Sequence, residues 1–166
     1  SYGQGIASSV RDDLKKAGVE VALFEGINAG DSDYSAVITK LKGAGVDFVY
    51  YGGYHPEMGL LLRQAAEQGL KVKMMGPEGV GNPEVNAIAG PAVEGMLVTL
   101  PADFAANPKN AAVVKAFQDK KRNASGAFQL TSFAATQSLL AAIKAAGDNP
   151  AKVADWMHKT TGVDTV

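Results

Sequence analysis

One short pattern recurs three times in the first half of the chain and restricts the possible folds more than any other feature. A helical stretch ends at a glycine and an apolar run begins directly after it, in Ala17-Gly18-Val19-Glu20-Val21, Ala44-Gly45-Val46-Asp47-Phe48 and Gln68-Gly69-Leu70-Lys71-Val72. Glycine readily adopts the left-handed conformation that closes a helix. Strands that are entered repeatedly through helices are typical of βαβ units. The sequence therefore predicts an α/β fold with a Rossmann-like parallel sheet flanked by helices.

Hydrophobic periodicity predicts the elements around these glycines. Strands are expected over 19–24, 47–51, 71–75 and 95–100. A first helix carries an apolar stripe, a second is capped by Asp31 or Ser32, a third runs from Pro56 to Gly69, and a short fourth begins at Asn82 and Pro83. The apolar positions of the first helix are Ile6, Val10 and Leu14, and those of the second are Tyr34, Val37, Ile38 and Leu41.

The pattern changes at Pro101, beyond which helices follow one another without strands. Helices are predicted over 108–117, from Gly126 or Ala127 to position 146, and over 150–157. In the middle helix, four apolar residues are expected to face a core: Leu130, Phe133, Leu140 and Ile143. The stretch 101–103 is either a hinge between domains or a surface loop within one domain, and composition alone favours the loop.

Composition excludes several classes of function. The 166 residues, 46% of them hydrophobic, suffice for a core, and a net charge of −1 offers no basic surface for nucleic acid. No apolar run has the length of about 20 residues that crosses a membrane. The chain has no cysteine and only two histidines, which argues against a metal site. We expect no metal, no cofactor and no nucleic-acid partner.

Candidate functional residues follow two predicted strands. Tyr54 and His55 come after Gly52-Gly53, and Glu78 lies between Pro77 and Gly79. In an open parallel sheet, ligands bind just beyond the carboxyl ends of the strands. Tyr54 could also simply pack on its helix, and the simplest interpretation of His55 is a helix cap.

Glu78 follows an apolar strand directly, where an unpaired carboxylate would be partly desolvated and would require a partner. Arg63 or Lys73 could supply a structural ion pair, but a ligand ammonium would serve equally well. An enzyme that uses Glu78 and His55 as an acid and base pair is a weaker hypothesis, because the chain shows no nucleophile motif and no phosphate-binding glycine loop.

Several segments resemble the periplasmic branched-chain amino-acid binding proteins of bacterial ABC importers. They are YGQGIA, AGVDFVYYGG, YYGGYHPEMG, MGPEGVGN, EGMLVTLP and SGAF. Proteins of that family have two α/β lobes joined by crossing segments, and one amino acid is held between the lobes. The resemblance implies a type I periplasmic binding protein that captures Leu, Ile or Val without performing chemistry. The same fold in an amino-acid sensor of a receptor or regulator is an alternative.

The resemblance also assigns roles to individual residues. Glu78 would pair with the α-ammonium of the ligand, Tyr2 and Tyr54 would wall the site, and Phe128 would lie against the aliphatic side chain. It implies no catalytic, cofactor-binding or metal-binding residue. The expected partners are a branched-chain amino acid and the membrane permease of the importer, and the expected location is the periplasm.

Finally, the resemblance implies a division of the chain. Residues 1–100 would be the second lobe without its first strand, 101–103 a hinge crossing, and 104–166 a helical part of the first lobe. The chain would then be a fragment that lacks the groups binding the ligand carboxylate. By itself it is expected to bind leucine weakly or not at all.

Overall fold

Three parallel strands form the centre of the first hundred residues in this computed structural model, which describes residues 1–126 and 128–166. The strands are β1 (Phe48–Tyr50), β2 (Lys73–Gly76) and β3 (Leu97–Val98), in the order β1-β2-β3. Val49 lies opposite Met74, and Met75 lies opposite Leu97. The predicted parallel sheet is confirmed, with strands shorter than their apolar runs.

Four helices accompany the sheet in this unit, which spans Ser1–Leu100. They are α1 (Tyr2–Lys16), α2 (Ser35–Gly43), α3 (His55–Glu67) and α4 (Glu84–Ala89), and single turns of 3₁₀-helix lie at Glu78–Val80 and Gly90–Val93. Gly18, Gly45 and Gly69, which follow α1, α2 and α3, have φ of +76°, +64° and +67°. Their left-handed conformation is the one that the recurring pattern predicts.

The core of this unit is centred on α3, which contacts both α2 and α4. Ile38 of α2, Met58 of α3 and Val80 have no exposed surface. Helix α3 also buries two polar residues, because it holds the loop before α2: Glu57 Oε1 accepts a hydrogen bond from the Gly30 backbone N–H at 3.1 Å, and the Gln64 side chain accepts one from the Tyr34 N–H at 2.7 Å.

Two predictions for this unit are wrong. The segment 19–24 forms no strand, and its ends Val19 and Phe24 are 50% and 47% exposed. An alternating pattern forms a strand only where a neighbouring strand can pair with it. In this segment the Phe24 side chain instead packs on α1, with its ring centroid 4.6 Å from the Arg11 guanidinium. The predicted cap of α2 is also wrong: the cap position is Tyr34, whose side chain makes no capping hydrogen bond, and Asp33 Oδ1 accepts the Ser35 N–H at 2.8 Å.

In the second unit, Pro101–Val166, all the regular elements among the described residues are helices. It contains α5 (Ala111–Asp119), α6 (Gln129–Ala146) and α7 (Pro150–Lys159), preceded by 3₁₀ turns at Phe104–Ala106 and Pro108–Asn110. Asn107 and Asn149 accept backbone N–H groups at the helix starts predicted from Asn-Pro. The predicted start of α6 is not observed at Gly126, and Ala127 lies outside the described residues.

The predicted core face of α6 is mostly wrong. Leu130 is 2% exposed, but Phe133, Leu140 and Ile143 are 36%, 60% and 39% exposed. The helix is apolar on several sides, so the apolar pattern does not define which side packs.

Candidate functional site

Three of the four predicted site residues meet in the first unit. Tyr54 directly precedes α3 in the turn after β1, and Glu78 begins the 3₁₀ turn after β2. Tyr2 is the first residue of α1. Because β1 and β2 are parallel neighbours, their carboxyl ends bring Tyr54 and Glu78 to the same edge of the sheet.

The three side chains contact one another directly. The Tyr2 hydroxyl donates a hydrogen bond to Glu78 Oε1 at 3.0 Å. The rings of Tyr2 and Tyr54 are stacked, with 5.3 Å between their centroids and 28° between their planes. We refer to Tyr2, Tyr54 and Glu78 as the Tyr–Glu cluster.

Glycines allow the backbones that carry the cluster to approach closely. A Cβ on Gly3 would collide with the carbonyl of Gly52, and one on Gly52 would lie 2.6 Å from the carbonyl oxygen of Gly3. A Cβ on Gly79 would lie 2.7 Å from the Gly53 carbonyl oxygen and 3.1 Å from the Tyr54 ring. Side chains at these positions would force apart the segments that hold Tyr2, Tyr54 and Glu78.

Sequence reasoning missed the role of these glycines, as it missed Tyr50. Gly3 belongs to a Gly-x-Gly sequence that, inside α1, forms no phosphate-binding turn. A glycine in the first turn of a helix is a signal of close packing. Tyr50, the last residue of β1, has its pKa raised first by burial and then by the negative charge of Glu78.

The electrostatics of the cluster keep Tyr2 neutral. The pKa of Tyr2 is raised to about 12. Desolvation is the largest cause, and the hydrogen bond to Glu78 and the negative charge of that carboxylate add to it. The Tyr2 hydroxyl therefore remains a donor at every physiological pH.

Glu78 is half-buried and has no cationic partner among the residues that the structure describes. The alternative of a structural ion pair with Arg63 or Lys73 is not observed. Arg63 Nε lies 3.8 Å from Glu67 Oε1, and Lys73 forms no ion pair within the described residues. Among the described residues, none donates a hydrogen bond to the second carboxylate oxygen of Glu78, Oε2. With Tyr2 and Tyr54 still 38% and 54% exposed, a cation could reach this carboxylate beside two aromatic rings.

The two alternative roles of His55 are not supported. Tyr54 occupies the cap position of α3, so His55 is the first helical residue and not its cap. His55 Nε2 lies 3.2 Å from Glu84 Oε2, whereas Glu78 is bound by Tyr2. The two groups of the hypothetical acid and base pair thus have different partners.

The fourth predicted site residue, Phe128, belongs to the second unit. It directly precedes α6 and is 55% exposed. Its role against an aliphatic ligand remains a prediction.

A surface cleft of the first unit lies elsewhere, at the amino ends of the strands. It has a volume of about 360 Å³, and its charged lining residues are Asp47, Lys71, Lys73 and Glu94. All four of its charged groups lie on exposed residues at the strand entrances. We therefore place the candidate site at the Tyr–Glu cluster, where a half-buried carboxylate and aromatic rings converge.

Across residues 1–126 and 128–166, no group of three or more His, Asp or Glu side chains is arranged to hold a metal ion. None of the helices described there has the length and apolarity needed to cross a membrane.

A family model described as periplasmic binding protein matches residues 1–166. The chain belongs to the periplasmic binding protein family. Among curated members of related sequence, the leucine-, isoleucine-, valine-, threonine-, and alanine-binding protein of Pseudomonas aeruginosa is 54% identical over 161 residues, which cover 96% of this chain and 43% of that protein. The Leu/Ile/Val-binding protein of Escherichia coli K12 is 49% identical over 165 residues, 99% of this chain and 44% of that protein. The chain thus spans less than half the length of these relatives.

Solved structures of periplasmic binding proteins agree in fold. A leucine binding protein from Thermotoga maritima superposes with a TM-score of 0.85 at 29% identity, over 96% of this chain and 46% of that one. The branched-chain amino acid transporter substrate binding protein of Streptococcus pneumoniae, in complex with isoleucine, superposes with a TM-score of 0.81 at 25% identity. The match covers 99% of this chain and 47% of that one. The predicted fold class and family are confirmed, and the relatives named here are binding proteins.

Proposed function

We propose that this chain is part of the solute-binding component of a branched-chain amino-acid importer, which captures Leu, Ile or Val in the periplasm for a membrane permease. The names of the related proteins support this class of ligand. The observation that carries the proposal for this chain is the half-buried carboxylate of Glu78, whose contact within the described residues is a neutral tyrosine hydroxyl.

In this proposal, Glu78 binds the ligand ammonium and the rings of Tyr2 and Tyr54 wall the site. A carboxylate that is partly removed from water binds a cation strongly when no protein cation competes for it. The stacked rings supply apolar surface beside this anchor, which is the general form of a small-molecule site. Phe128 is proposed to lie against the aliphatic side chain of the ligand.

The remaining assignments follow the family division. Residues 1–100 are proposed to be the second lobe, 101–103 a hinge crossing and 104–166 a helical part of the first lobe. A free amino acid also carries a carboxylate, whose partners are proposed to come from the rest of the first lobe. We therefore expect the isolated chain to bind leucine weakly, and the full-length protein, with both lobes, to bind it well.

Replacing Glu78 by Gln in the full-length protein tests the anchor. Loss of the charge opposite a desolvated ammonium is expected to weaken leucine binding by about 2 kcal/mol or more, roughly thirtyfold, by isothermal calorimetry. The matched control is Glu84→Gln, because the Glu84 side chain is 76% exposed and pairs with His55. Glu84→Gln is expected to leave affinity within about twofold of the wild type.

Two outcomes would count against the proposal. Unchanged affinity of Glu78→Gln, in a protein whose circular dichroism is also unchanged, would remove Glu78 from the site. A wild-type protein that binds none of Leu, Ile and Val would refute the proposed ligand class.

A further inference from the structure

Tyr2 makes two contacts, of which only one is expected of a residue that walls a ligand. Its ring stacks on Tyr54, which builds the wall. Its hydroxyl, however, points to a protein group, Glu78 Oε1, at 3.0 Å. The hydroxyl is therefore engaged with the carboxylate.

This contact makes the two oxygens of Glu78 inequivalent. Oε1 accepts the Tyr2 hydroxyl, whereas Oε2 has no hydrogen-bond partner in the described ranges of the chain. A glutamate side chain has three rotatable bonds, and fixing them at the moment of ligand binding reduces affinity. A hydrogen bond that already exists in the free protein removes part of that cost.

We propose that Tyr2 is a positioning residue, whose hydroxyl holds the Glu78 carboxylate so that Oε2 meets the ammonium of the bound amino acid. This inference rests on the proposed function, and it gives Tyr2 a role in addition to that of a wall. It applies to ligands that carry a primary ammonium next to an aliphatic side chain.

The location of Tyr2 suits this role. The ring is held on one side by Tyr54, and its backbone is held by the close approach of Gly3 to Gly52. The hydroxyl stays protonated throughout the physiological range because desolvation and Glu78 raise its pKa. A neutral donor leaves the negative charge of Glu78 available, whereas a Lys or Arg in its place would neutralise the carboxylate and compete with the ligand.

A double-mutant cycle in the full-length protein tests the proposal. Leucine affinity is measured by calorimetry, or by equilibrium dialysis where binding is weak, for the wild type, Tyr2→Phe, Glu78→Gln and the double variant. Tyr2→Phe keeps the stacked ring and removes only the donor. It is expected to weaken binding about tenfold in the wild-type background, the effect of one hydrogen bond to a charged group, and less than about threefold beside Glu78→Gln.

Tyr54→Phe is the matched control, because it removes the same hydroxyl from the other ring of the stack. The Tyr54 hydroxyl makes no hydrogen bond to the described residues. Its removal is expected to change affinity by the same factor in both Glu78 backgrounds, so that the cycle shows no coupling.

The outcomes separate the two proposals. If Tyr2→Phe weakens binding equally in both backgrounds, or not at all, Tyr2 does not act through Glu78 and the positioning role is refuted, even though Glu78 itself is required. If Glu78→Gln binds leucine as tightly as the wild type, the proposed role of Glu78 as the partner of the ammonium is refuted. Coupling between Tyr2 and Glu78, without coupling between Tyr54 and Glu78, supports the positioning role.

Discussion

The helices α3 and α6 differ in how many of their residues are buried within their own units. Helix α3 in the first unit has 13 residues and buries seven of them. Helix α6 in the second unit has 18 residues and buries two, Leu130 and Ala142. Both helices are rich in apolar residues, so the difference lies in the neighbours that each unit provides.

The same contrast holds for the two units as wholes. Ten buried apolar residues of the first unit form one cluster, which includes large side chains such as Ile38 and Met58. Among the described residues of the second unit, the buried apolar ones are Ala124, Leu130, Ala142 and Val153, two of which are alanines. An apolar cleft of about 410 Å³ lies between α5 and α6, where Phe117 meets Phe133 edge to face at 5.8 Å.

This difference indicates that the first unit has its own core, whereas the second has apolar surface in excess of what it buries. Exposed apolar surface of this kind usually marks a contact with other protein. The proposed assignment of residues 104–166 to the first lobe would supply that contact, since the relatives are more than twice as long as the chain.

The largest expected effect comes from truncating matched methionines in the two units. Met58 has no exposed surface, whereas Met157 is 45% exposed. Met58→Ala should lower the free energy of unfolding of the first unit by about 2 to 5 kcal/mol, because it leaves a cavity in the core. Met157→Ala should cost less than about 1 kcal/mol.

Urea denaturation can separate the units, because the single tryptophan, Trp156, lies in α7 of the second unit. Met58→Ala should shift the transition seen by circular dichroism and leave the Trp156 fluorescence transition in place. Equal shifts in both signals would show that the two units unfold as one, and the contrast between them would then be wrong.

Sequence reasoning succeeded where a local pattern determines a local structure. The left-handed glycines after α1, α2 and α3 and the Asn caps of the second unit depend on neighbouring residues only. It failed where the answer depends on what is packed nearby. The segment 19–24 has the pattern of a strand without a paired neighbour, and α6 has an apolar face wider than its unit can cover.

The candidate site shows the same limit. Tyr54 and Glu78 could be placed at the edge of the sheet, because parallel strands end together. Residue-level reasoning gave Tyr2 no function, since it is distant in sequence from both, and only the resemblance included it. Its hydrogen bond to Glu78 could not be predicted, because that contact depends on backbones that approach through Gly3 and Gly52.

A smaller effect is expected from matched glycines. A Cβ on Gly52 would lie 2.6 Å from the Gly3 carbonyl oxygen and 2.9 Å from Ile6, whereas one on Gly162 would meet nothing within 4 Å. Gly52→Ala should therefore cost about 1 to 3 kcal/mol of stability through overpacking, and Gly162→Ala should stay within about 0.5 kcal/mol. Circular dichroism during urea denaturation measures both.

Gly52→Ala should also disturb the stack of Tyr2 on Tyr54, because it pushes the start of α1 away from the turn after β1. The change would be visible in the aromatic region of the NMR spectrum. An unaltered tyrosine spectrum together with unaltered stability would show that the close backbone packing of the first unit is dispensable.

The smallest effect is expected from alkaline pH, which should act on one unit only. All five tyrosines lie in the first unit, and the pKa values of Tyr2 and Tyr51 are raised to about 12, in both cases chiefly by desolvation. Between pH 10 and 12 the unfolded chain loses these protons while the folded unit retains them, so the stability of the first unit falls as pH rises. The loss should be on the order of 1 kcal/mol, because the exposure of Tyr2 reduces its share.

Methyl NMR of labelled methionine follows both units during urea denaturation at pH 9 and pH 11.5, with Met58 reporting on the first unit and Met157 on the second. Tyr51→Phe should remove part of the alkaline loss at Met58 and leave the Met157 transition unaltered. A Met58 transition independent of pH would mean that the tyrosines of the first unit titrate normally. A larger alkaline shift at Met157 than at Met58 would contradict the prediction, because the second unit has no tyrosine whose ionisation could destabilise it.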